Sequence, residues 1–561
     1  MLKHTLKLAF RNFLRHKSSF FINLIGLSTG LACAMLIFLW VHDELQVDKF
    51  HAKDTRLFYA MEHQDYADGI MTTMSTPGLL AETLKEEVPE IEHAATLTWQ
   101  NAYTLSVEEK NVRANGYHAG NDFFEMFSFN LIAGQPNQVL EDLNAIILSK
   151  STAESLFGTA DAAMWQYVEI DHDEIYQVSG IFEDVPDHSS LDFDFIYSFE
   201  KYKNREENGW LRSWDSNGPR TFVTLVEGAD SEAVSEKIAD FIKQRNEDSN
   251  VTLFLKKYSE RYLFGQYEDG KLVGGRIEYV RLFSIIAIFI LLIACINFMN
   301  LSTARASRRA KEVGVKKTVG AGKRNLIGQY LGESTLIALV SMAVAVILVQ
   351  IFLPSFNRIT EKEMALSLDP GFILALLGIT LITGLLAGSY PALYLSSFRP
   401  VSVLKGEIRT SLGELWARRG LVVFQFTLSV ILIVAVFVVY KQIQFVQTKN
   451  LGYNKDNLIY FDMVGRVEDQ TETFLAEANN IPGIVNISTI AHDLIERQNN
   501  TRGLYLEGKY PYNLVLFDHV RVNYGLLETI GVELKEGRDF SRQFGADTSK
   551  IIFNKKAIEI M

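Results

Sequence analysis

Three features of the sequence carry residue types that could do chemistry, and none has the surroundings that its chemistry needs. Gly26, Ser28 and Gly30 match the G-x-S-x-G pattern of hydrolases, but a nucleophile elbow needs a strand-to-helix turn and these residues lie inside an apolar run. The stretch GAGKR at 320–324 resembles a phosphate loop, yet a Walker A motif needs Ser or Thr after its lysine. The eleven histidines show no metal-ligand spacing. The sequence predicts no catalytic, cofactor-binding or metal-binding residue in this chain.

Five long apolar runs indicate a membrane protein. Runs of about 18–22 apolar residues can cross a hydrocarbon core of roughly 30 Å as helices. We predict membrane-spanning helices at residues 20–41, 281–304, 331–353, 372–395 and 421–443. Small residues spaced four apart let such helices pack closely, so we interpret four glycines as helix-packing residues: Gly26 and Gly30 in the first helix, and Gly384 and Gly388 in the fourth.

The charges predict how these helices are oriented. Eight Lys or Arg residues lie in 305–330, and the positive-inside rule places that loop, residues 396–420 and the N-terminus in the cytoplasm. Residues 42–280 contain 44 acidic and 20 basic residues, a net charge of −24 in a chain whose total is −12. Alternation of the helices then places 42–280, 354–371 and 444–561 on the outer side of the membrane.

Residues 1–19 read as an amphipathic helix. Leu2, Leu6 and Phe10 share one face, while Lys3 and Lys7 lie on the opposite face. Because this segment joins the first span directly, we predict that it lies in the cytoplasmic membrane interface and binds lipid there. A solvated helical extension is the alternative.

The large outer segment mixes strand and helix patterns. Residues 167–182 alternate apolar and polar positions around an acidic turn and predict a β-hairpin. Residues 232–245 have helical periodicity. We therefore predict an α-helical membrane protein with α+β domains outside the membrane, the first of them divided into two lobes.

An internal repeat relates the two outer segments. Residues 125–134 (EMFSFNLIAG) align without gaps on 528–537 (ETIGVELKEG), and 146–150 (IILSK) align on 551–555 (IIFNK). We therefore predict that 444–561 is a second copy of the outer domain. The first copy continues far beyond the point equivalent to residue 561, so we expect the second copy to be incomplete.

The loop 305–330 is the strongest candidate for a functional surface. Its cations are mixed with an acidic residue, valines and spaced glycines, which suggests short helices that dock into a groove of another protein; a loop that only sets topology would need the cations alone. The candidate docking residues are Arg309, Lys311, Glu312, Val313, Gly314, Val315, Lys316, Lys317, Gly320 and Ala321.

Several motifs together resemble the FtsX-like, MacB-type ABC transporter permeases. They are NLSTAR at 300–305, RAKEVGVKKTVGA at 309–321, QYLGES at 329–334, GSYPA at 388–392, SSFRP at 396–400, LKG at 404–406, DKFH at 48–51 and LVVFQF at 421–426. This resemblance covers almost the whole chain. It identifies 42–280 with the MacB-like periplasmic core domain and 305–330 with the loop that couples to an ATPase.

The resemblance also implies a function. Such a chain would be the inner-membrane permease subunit that transmits ATP hydrolysis by a separate cytoplasmic ATPase to movement of periplasmic domains, for export, efflux or the handling of lipoproteins or peptides. ATP and Mg²⁺ would be bound by that ATPase, permease copies would dimerise, and a periplasmic adaptor or substrate would engage the outer domains. The alternative is a sensor or scaffold that regulates a periplasmic partner, such as a cell-wall enzyme, without transport. Nucleic-acid binding is not expected, because the basic residues lack interleaved aromatics.

Overall fold

The computed structural model describes residues 17–67, 69–304, 306–366, 370–398, 412–463, 466–492, 494, 499–501, 515–545 and 547–561. The chain forms two compact units. We call the described parts of Met1–Gln46 and Arg276–Thr448 the membrane unit, and those of Val47–Gly275 and Lys449–Met561 the outer unit. The amphipathic helix predicted at 1–19 lies almost entirely outside the described residues.

The described α-helices are α1 (Lys17–Gln46), α2 (Leu80–Glu87), α3 (Phe123–Met126), α4 (Lys150–Phe157), α5 (Ala160–Ala163), α6 (Phe199–Asn204), α7 (Ser231–Ile238), α8 (Ile277–Ala304), α9 (Ala306–Thr318), α10 (Lys323–Thr360), α11 (Pro370–Ser397), α12 (Leu412–Thr448), α13 (Arg466–Asp469), α14 (Thr471–Ala478), α15 (Leu526–Thr529) and α16 (Lys555–Ile560).

The described β-strands are β1 (Leu57–Tyr66), β2 (Gly69–Thr73), β3 (Ser75–Pro77), β4 (Ile91–Leu97), β5 (Asn101–Val107), β6 (Lys110–Ala119), β7 (Leu131–Ala133), β8 (Ala145–Ser149), β9 (Tyr167–Ile170), β10 (Glu174–Phe182), β11 (Phe195–Ser198), β12 (Asn217–Leu225), β13 (Val251–Lys257), β14 (Gln266–Glu268), β15 (Lys271–Gly274), β16 (Asn500–Thr501) and β17 (Phe517–Asp518).

Five helices of the membrane unit, α1, α8, α10, α11 and α12, are long and apolar enough to cross a membrane. The predicted fold class is therefore confirmed, but the helices are longer than the predicted spans. With 38 residues, α10 begins at Lys323, so the last eight residues of the predicted loop 305–330 belong to this helix. A helix satisfies its backbone hydrogen bonds internally, so it can continue into water beyond its apolar segment.

Small residues set the spacing of the four helices that share the core of the membrane unit. A Cβ atom added at Gly30 of α1 would lie 2.6 Å from the Cβ of Ala294 on α8. One added at Gly388 of α11 would lie 2.7 Å from the Cβ of Ser334 on α10. Added Cβ atoms at the two other predicted packing glycines would also meet a neighbouring helix, Gly26 against Asn297 at 3.3 Å and Gly384 against Thr335 at 2.7 Å. Larger side chains at Gly30, Gly384 or Gly388 would force the helices apart.

Residues 47–275 of the outer unit form a large sheet with two parts, and β14 and β15 form a separate two-stranded sheet. In the first part the strand order is β4-β12-β1-β13, and α2 and α7 pack their apolar faces on it. In the second part β11, β8, β10, β9, β5 and β6 follow one another, and β6 pairs back onto β11. This second part is therefore closed like a barrel, which leaves no free edge among these six strands.

Two local predictions for this segment have different outcomes. The predicted hairpin at 167–182 is confirmed, because β9 and β10 pair antiparallel on either side of a tight turn. The predicted helix at 232–245 is too long, since α7 ends at Ile238. The carbonyl of Ala239 accepts a hydrogen bond from the amide of Leu253 on β13. This bond occupies the acceptor that the next helical turn would need.

The two repeat copies have the same local pattern of backbone hydrogen bonds. In the first copy, Leu97 pairs antiparallel with Ala119 and the amide of Gly120 donates to the carbonyl of Thr96. At the equivalent places in the second copy, Ile490 bridges Val522 and the amide of Asn523 donates to Thr489. A helix of one turn follows each pair, α3 in the first copy and α15 in the second.

The aligned ends of the two copies also match. Gly134 and its equivalent Gly537 both have a positive φ, at +99° and +87°. Ser149 caps the N-terminus of α4, and its equivalent Asn554 caps α16 with the same side-chain acceptor role. The repeat detected in the sequence therefore corresponds to one local structure built twice.

Candidate functional site at helix α9

The predicted docking loop contains one short helix, α9, whose inner face is fixed to the membrane unit. Val313 is fully buried in an apolar cluster with Leu326 and Tyr330 of α10 and with Ala392 and Leu395 of α11. Burying a valine side chain stabilises a contact by about 1.5–3 kcal/mol. Through this cluster, α9 packs against the adjoining ends of α10 and α11.

A lysine makes the second attachment of α9. The Nζ atom of Lys317 donates hydrogen bonds to the carbonyls of Ser396 and Phe398, both at 2.7 Å. Carbonyls at a helix C-terminus lack intrahelical partners and carry partial negative charge, so a cation there stabilises the end of α11. Burial and, to a smaller extent, the nearby Lys323 lower the pKa of Lys317.

A glycine turn ends α9 and starts α10. The amide of Gly320 donates to the carbonyl of Lys317, and that of Ala321 donates to the carbonyl of Lys316. This pair of bonds is a Schellman motif, which needs a residue with positive φ at the glycine position. Gly320 has a φ of +100°. The spaced glycines of the sequence therefore form a sharp turn between two helices.

The other face of α9 is exposed at three positions. Lys311, Val315 and Val319 follow one another at intervals of four residues and lie on one side, with Val315 52% and Val319 84% exposed. Glu312 is also exposed and pairs with Lys316 at 2.7 Å. This stripe is an apolar surface flanked by charge, as docking surfaces commonly are.

The structure separates the ten predicted docking residues into two groups. Val313 and Gly314 are buried, and Lys317 donates a hydrogen bond to α11, so these three residues face the membrane unit, and that they contact a partner stays a prediction. Their part is to hold α9 in place. The exposed positions are Lys311, Glu312, Val315 and Gly320, with Lys316 and Ala321 partly exposed. The side chain of Arg309 lies outside the described residues.

Comparison with known proteins agrees with this arrangement. The MacB-like periplasmic core domain matches residues 20–241, and the FtsX-like permease C-terminal domain matches residues 284–400. The second match contains α9 together with both of its attachment helices.

The chain belongs to the MacB/FtsX-like permease family.

Relatives of this permease include the macrolide export ATP-binding/permease protein MacB of Bdellovibrio bacteriovorus, 28% identical over 128 residues, which are 22% of this chain and 18% of that protein. The MacB protein of Neisseria gonorrhoeae is 19% identical over 314 residues, 55% of this chain and 46% of that protein. The match therefore spans less than half the length of either relative. Among solved structures, the periplasmic region of MacB from Actinobacillus actinomycetemcomitans has a TM-score of 0.28 and 15% identity, covering 36% of this chain and 89% of that one.

At the opposite end of α10, the permease has a buried charge cluster that the sequence did not predict. Glu44 of α1 has no exposed surface and contacts Arg276 at 2.6 Å and Lys362 at 3.2 Å. Lys362 also contacts Asp43 at 2.6 Å. We call these four residues the outer anchor. The sequence shows only isolated parts of this cluster. Asp43 and Glu44 follow the first apolar run, Arg276 precedes the second, and Lys362 follows the third.

The outer anchor joins three segments of the membrane unit. Asp43 and Glu44 lie in the last turn of α1, Arg276 directly precedes α8, and Lys362 follows α10. A buried carboxylate is stable only when it is paired and hydrogen-bonded, so these contacts depend on one another. The chain enters the outer unit just after α1 and leaves it just before α8, so the anchor lies at both connections.

The DKFH motif at 48–51 fixes the start of the outer unit. Asp48 accepts a hydrogen bond from the amide of Ser190 at 2.7 Å, and His51 accepts one from the amide of Ser128 at 3.1 Å. Burial lowers the pKa of His51 to about 4, so its ring is neutral and free to accept this bond at neutral pH. These residues therefore secure the chain where it leaves the membrane unit.

Replacing Glu44 tests the outer anchor. In Glu44→Gln, two cations lose their buried counter-charge, and we expect the protein in detergent micelles to lose on the order of 1–3 kcal/mol of stability, measured by thermal unfolding. The control is Glu278→Gln, which breaks an exposed pair with Arg281. Equal, small losses in both variants would show that the anchor does not stabilise the membrane unit.

Replacing Lys317 tests the attachment of α9. Lys317→Met leaves two carbonyls without a donor, so we expect the amides of α9 to exchange hydrogen roughly ten- to a hundredfold faster, in line with a loss of about 1–3 kcal/mol. Arg324→Met removes an exposed cation in the first turn of α10 and should leave this exchange unchanged. Unchanged exchange in Lys317→Met would contradict the attachment.

Proposed function

We propose that this chain is the permease subunit of an ABC transporter and that the exposed stripe of α9 is where a separate cytoplasmic ATPase docks. The observation that carries the proposal is the two-sided nature of α9. Its inner face is fixed by Val313 and Lys317, while Val315 on the other face and Val319 in the turn after the helix are exposed beside charged residues. A partner that pushes on this stripe would move α10 and α11 with it.

The exposed valines offer apolar surface that a partner would cover. Val319 lies on the turn after α9 and is 84% exposed, which leaves apolar surface in water. Covering apolar surface stabilises a complex by roughly 25 cal/mol per Å². Lys311 and Glu312 at the edge of the stripe would set the orientation of the partner, as charged rims do at protein interfaces.

ATP and Mg²⁺ are, in this proposal, bound by the partner ATPase, and this chain has no catalytic part in hydrolysis. The support is that the stretch at 320–324 forms a Schellman turn and the start of α10, whereas a phosphate loop lies between a strand and a helix. The chain would then convert hydrolysis into movement without chemistry of its own.

The movement would reach the outer unit along the helices. Val313 and Lys317 connect α9 to α10 and α11, and Lys362 after α10 is joined to α1 by the outer anchor. Since α1 and α8 continue directly into the outer unit, a shift of α10 would be transmitted to two of its three connections. The output would be movement of periplasmic domains for export, efflux or the handling of a lipoprotein or peptide.

The remaining parts of the proposal follow from charge and exposure. We place the chain in the bacterial inner membrane with its N-terminus and α9 in the cytoplasm, as the basic residues around α9 suggest. Helix α12 exposes most of its apolar side chains, which lipid or a second permease copy would cover. A dimer and a periplasmic adaptor or substrate complete the proposed assembly.

Two aspartate substitutions on α9 test the docking surface. Val315→Asp and Val319→Asp place charge on the stripe without touching the attachments, so we expect roughly tenfold weaker binding of the ATPase that copurifies with the wild-type chain, together with loss of the ATP hydrolysis that depends on this subunit. The measurement is ATP hydrolysis by the reconstituted complex.

The matched control lies at the other end of α10. Ile359 is 81% exposed, so Ile359→Asp adds the same charge at an equally exposed apolar position and should leave ATP hydrolysis unchanged. Wild-type hydrolysis in both valine variants would overturn the proposed docking surface.

A further inference from the structure

The outer unit brings together three side chains of the kinds that bind transition metals. His93 lies on β4, Asp122 immediately precedes α3, and Glu125 lies within α3. One ligand atom from each lies within 4.8 Å of the other two. We propose that these three residues form a binding site for a divalent cation of the Zn²⁺ class.

The distances between these ligand atoms are close to those between atoms that share one metal ion. His93 Nδ1 is 3.2 Å from Glu125 Oε2 and 3.6 Å from Asp122 Oδ2. Ligands at about 2.0–2.2 Å from a tetrahedral Zn²⁺ are about 3.3–3.6 Å apart. His93 Nδ1 is also buried without a hydrogen-bond partner among the described residues. A cation between these three atoms would satisfy it.

The second layer of contacts is also that of a metal site. Histidine ligands usually direct their other ring nitrogen at a carboxylate, and His93 Nε2 lies 3.6 Å from Glu92 Oε1. Glu92 is itself held by Arg56 at 2.6 Å. Asp122 accepts a hydrogen bond from the amide of Ala94 at 3.1 Å. Of the three ligand side chains, Asp122 is thus oriented by a hydrogen bond from the backbone, and Glu92 lies near His93.

The exposure and charge of the three side chains suit a cation that also binds a water molecule. The side chains of His93, Asp122 and Glu125 are 17%, 13% and 30% exposed, so solvent can reach a fourth position. One imidazole with two carboxylates is a donor set used by Zn²⁺. Lys85 Nζ contacts Asp122 Oδ2 and is 45% exposed, so it competes with the metal and is free to turn into water.

The repeat shows that this fold does not require the three ligands. The second copy builds the same strand bridge and the same one-turn helix, with Asn486 at the place of His93 and Gly525 at the place of Asp122. Only Glu528 matches a ligand, Glu125. The histidine and the aspartate therefore occur in the first copy alone, and metal binding would give them a common role.

A bound metal would tie α3 to β4. Because β4 lies next to β12 in the first part of the sheet and is joined to β6 of the barrel by the pair Leu97 and Ala119, the site lies near the junction of the two parts. This inference is independent of the proposed ATPase docking, since it concerns the outer unit alone.

The test is Zn²⁺ binding by the purified full chain in detergent micelles. After removal of metal with a chelator, Zn²⁺ is titrated in competition with a chromophoric chelator. We expect His93→Ala and Glu125→Gln each to bind one equivalent less than the wild type, and the double variant to lose no more than either single one. With Co²⁺ as the probe, wild-type protein should show visible absorption bands of tetrahedral coordination, which both variants lack.

Two further variants sharpen the result. His172→Ala removes a histidine that has a single carboxylate neighbour, Glu169 at 3.5 Å, and should keep the full number of bound equivalents. Lys85→Gln removes the competing cation and should tighten Zn²⁺ binding a few-fold. Wild-type protein that binds no Zn²⁺, or His93→Ala and Glu125→Gln variants that bind as much as the wild type, would overturn the proposal.

Discussion

The proposed function depends on one contact, the packing of Val313 against α10 and α11. A helix of 13 residues is marginal by itself in water, so α9 keeps its place through contacts with its neighbours. Val313 inserts between α10 and α11, and Lys317 binds the carbonyl end of α11. Without these attachments, a force applied to the exposed stripe would displace α9 alone. With them, the same force acts on two long helices.

Small residues and charges complete this arrangement in different ways. The close approach of α1 to α8 at Gly30, and of α11 to α10 at Gly388, gives extensive van der Waals contact, which is the main source of helix association inside a membrane. The outer anchor adds directional bonds at the ends of α1, α8 and α10. A membrane unit whose helices pack closely, and whose helix ends are joined by ion pairs, is suited to moving as one body.

Much of the fold could be predicted because its signals are local. Apolar length gives the five helices, alternation gives the β9–β10 hairpin, and aligned residues reveal the repeat. Helix ends were less predictable, since α10 continues through polar residues and α7 ends where β13 occupies its acceptor. The face of α9 that points inward could not be predicted, because it depends on the positions of α10 and α11.

Residues that meet only in three dimensions were missed for the same reason. Glu44 and Arg276 are separated by more than two hundred positions in the chain, and His93 and Asp122 by 29, with no motif linking either pair. A buried charge or a ligand set is defined by its surroundings, which a single sequence does not display.

The most direct test of the account is a distance measurement between spin labels on α9 and α11 in a cysteine-free background. Labels at Lys311 on the exposed stripe and at Leu393, which is 55% exposed, would report whether the two helices move together. If α9 and α11 move together, the distance distribution in the complex with its ATPase is the same before ATP is added and after ATP is trapped. A distance that changes with ATP would show that α9 moves independently of α11 and would contradict the account.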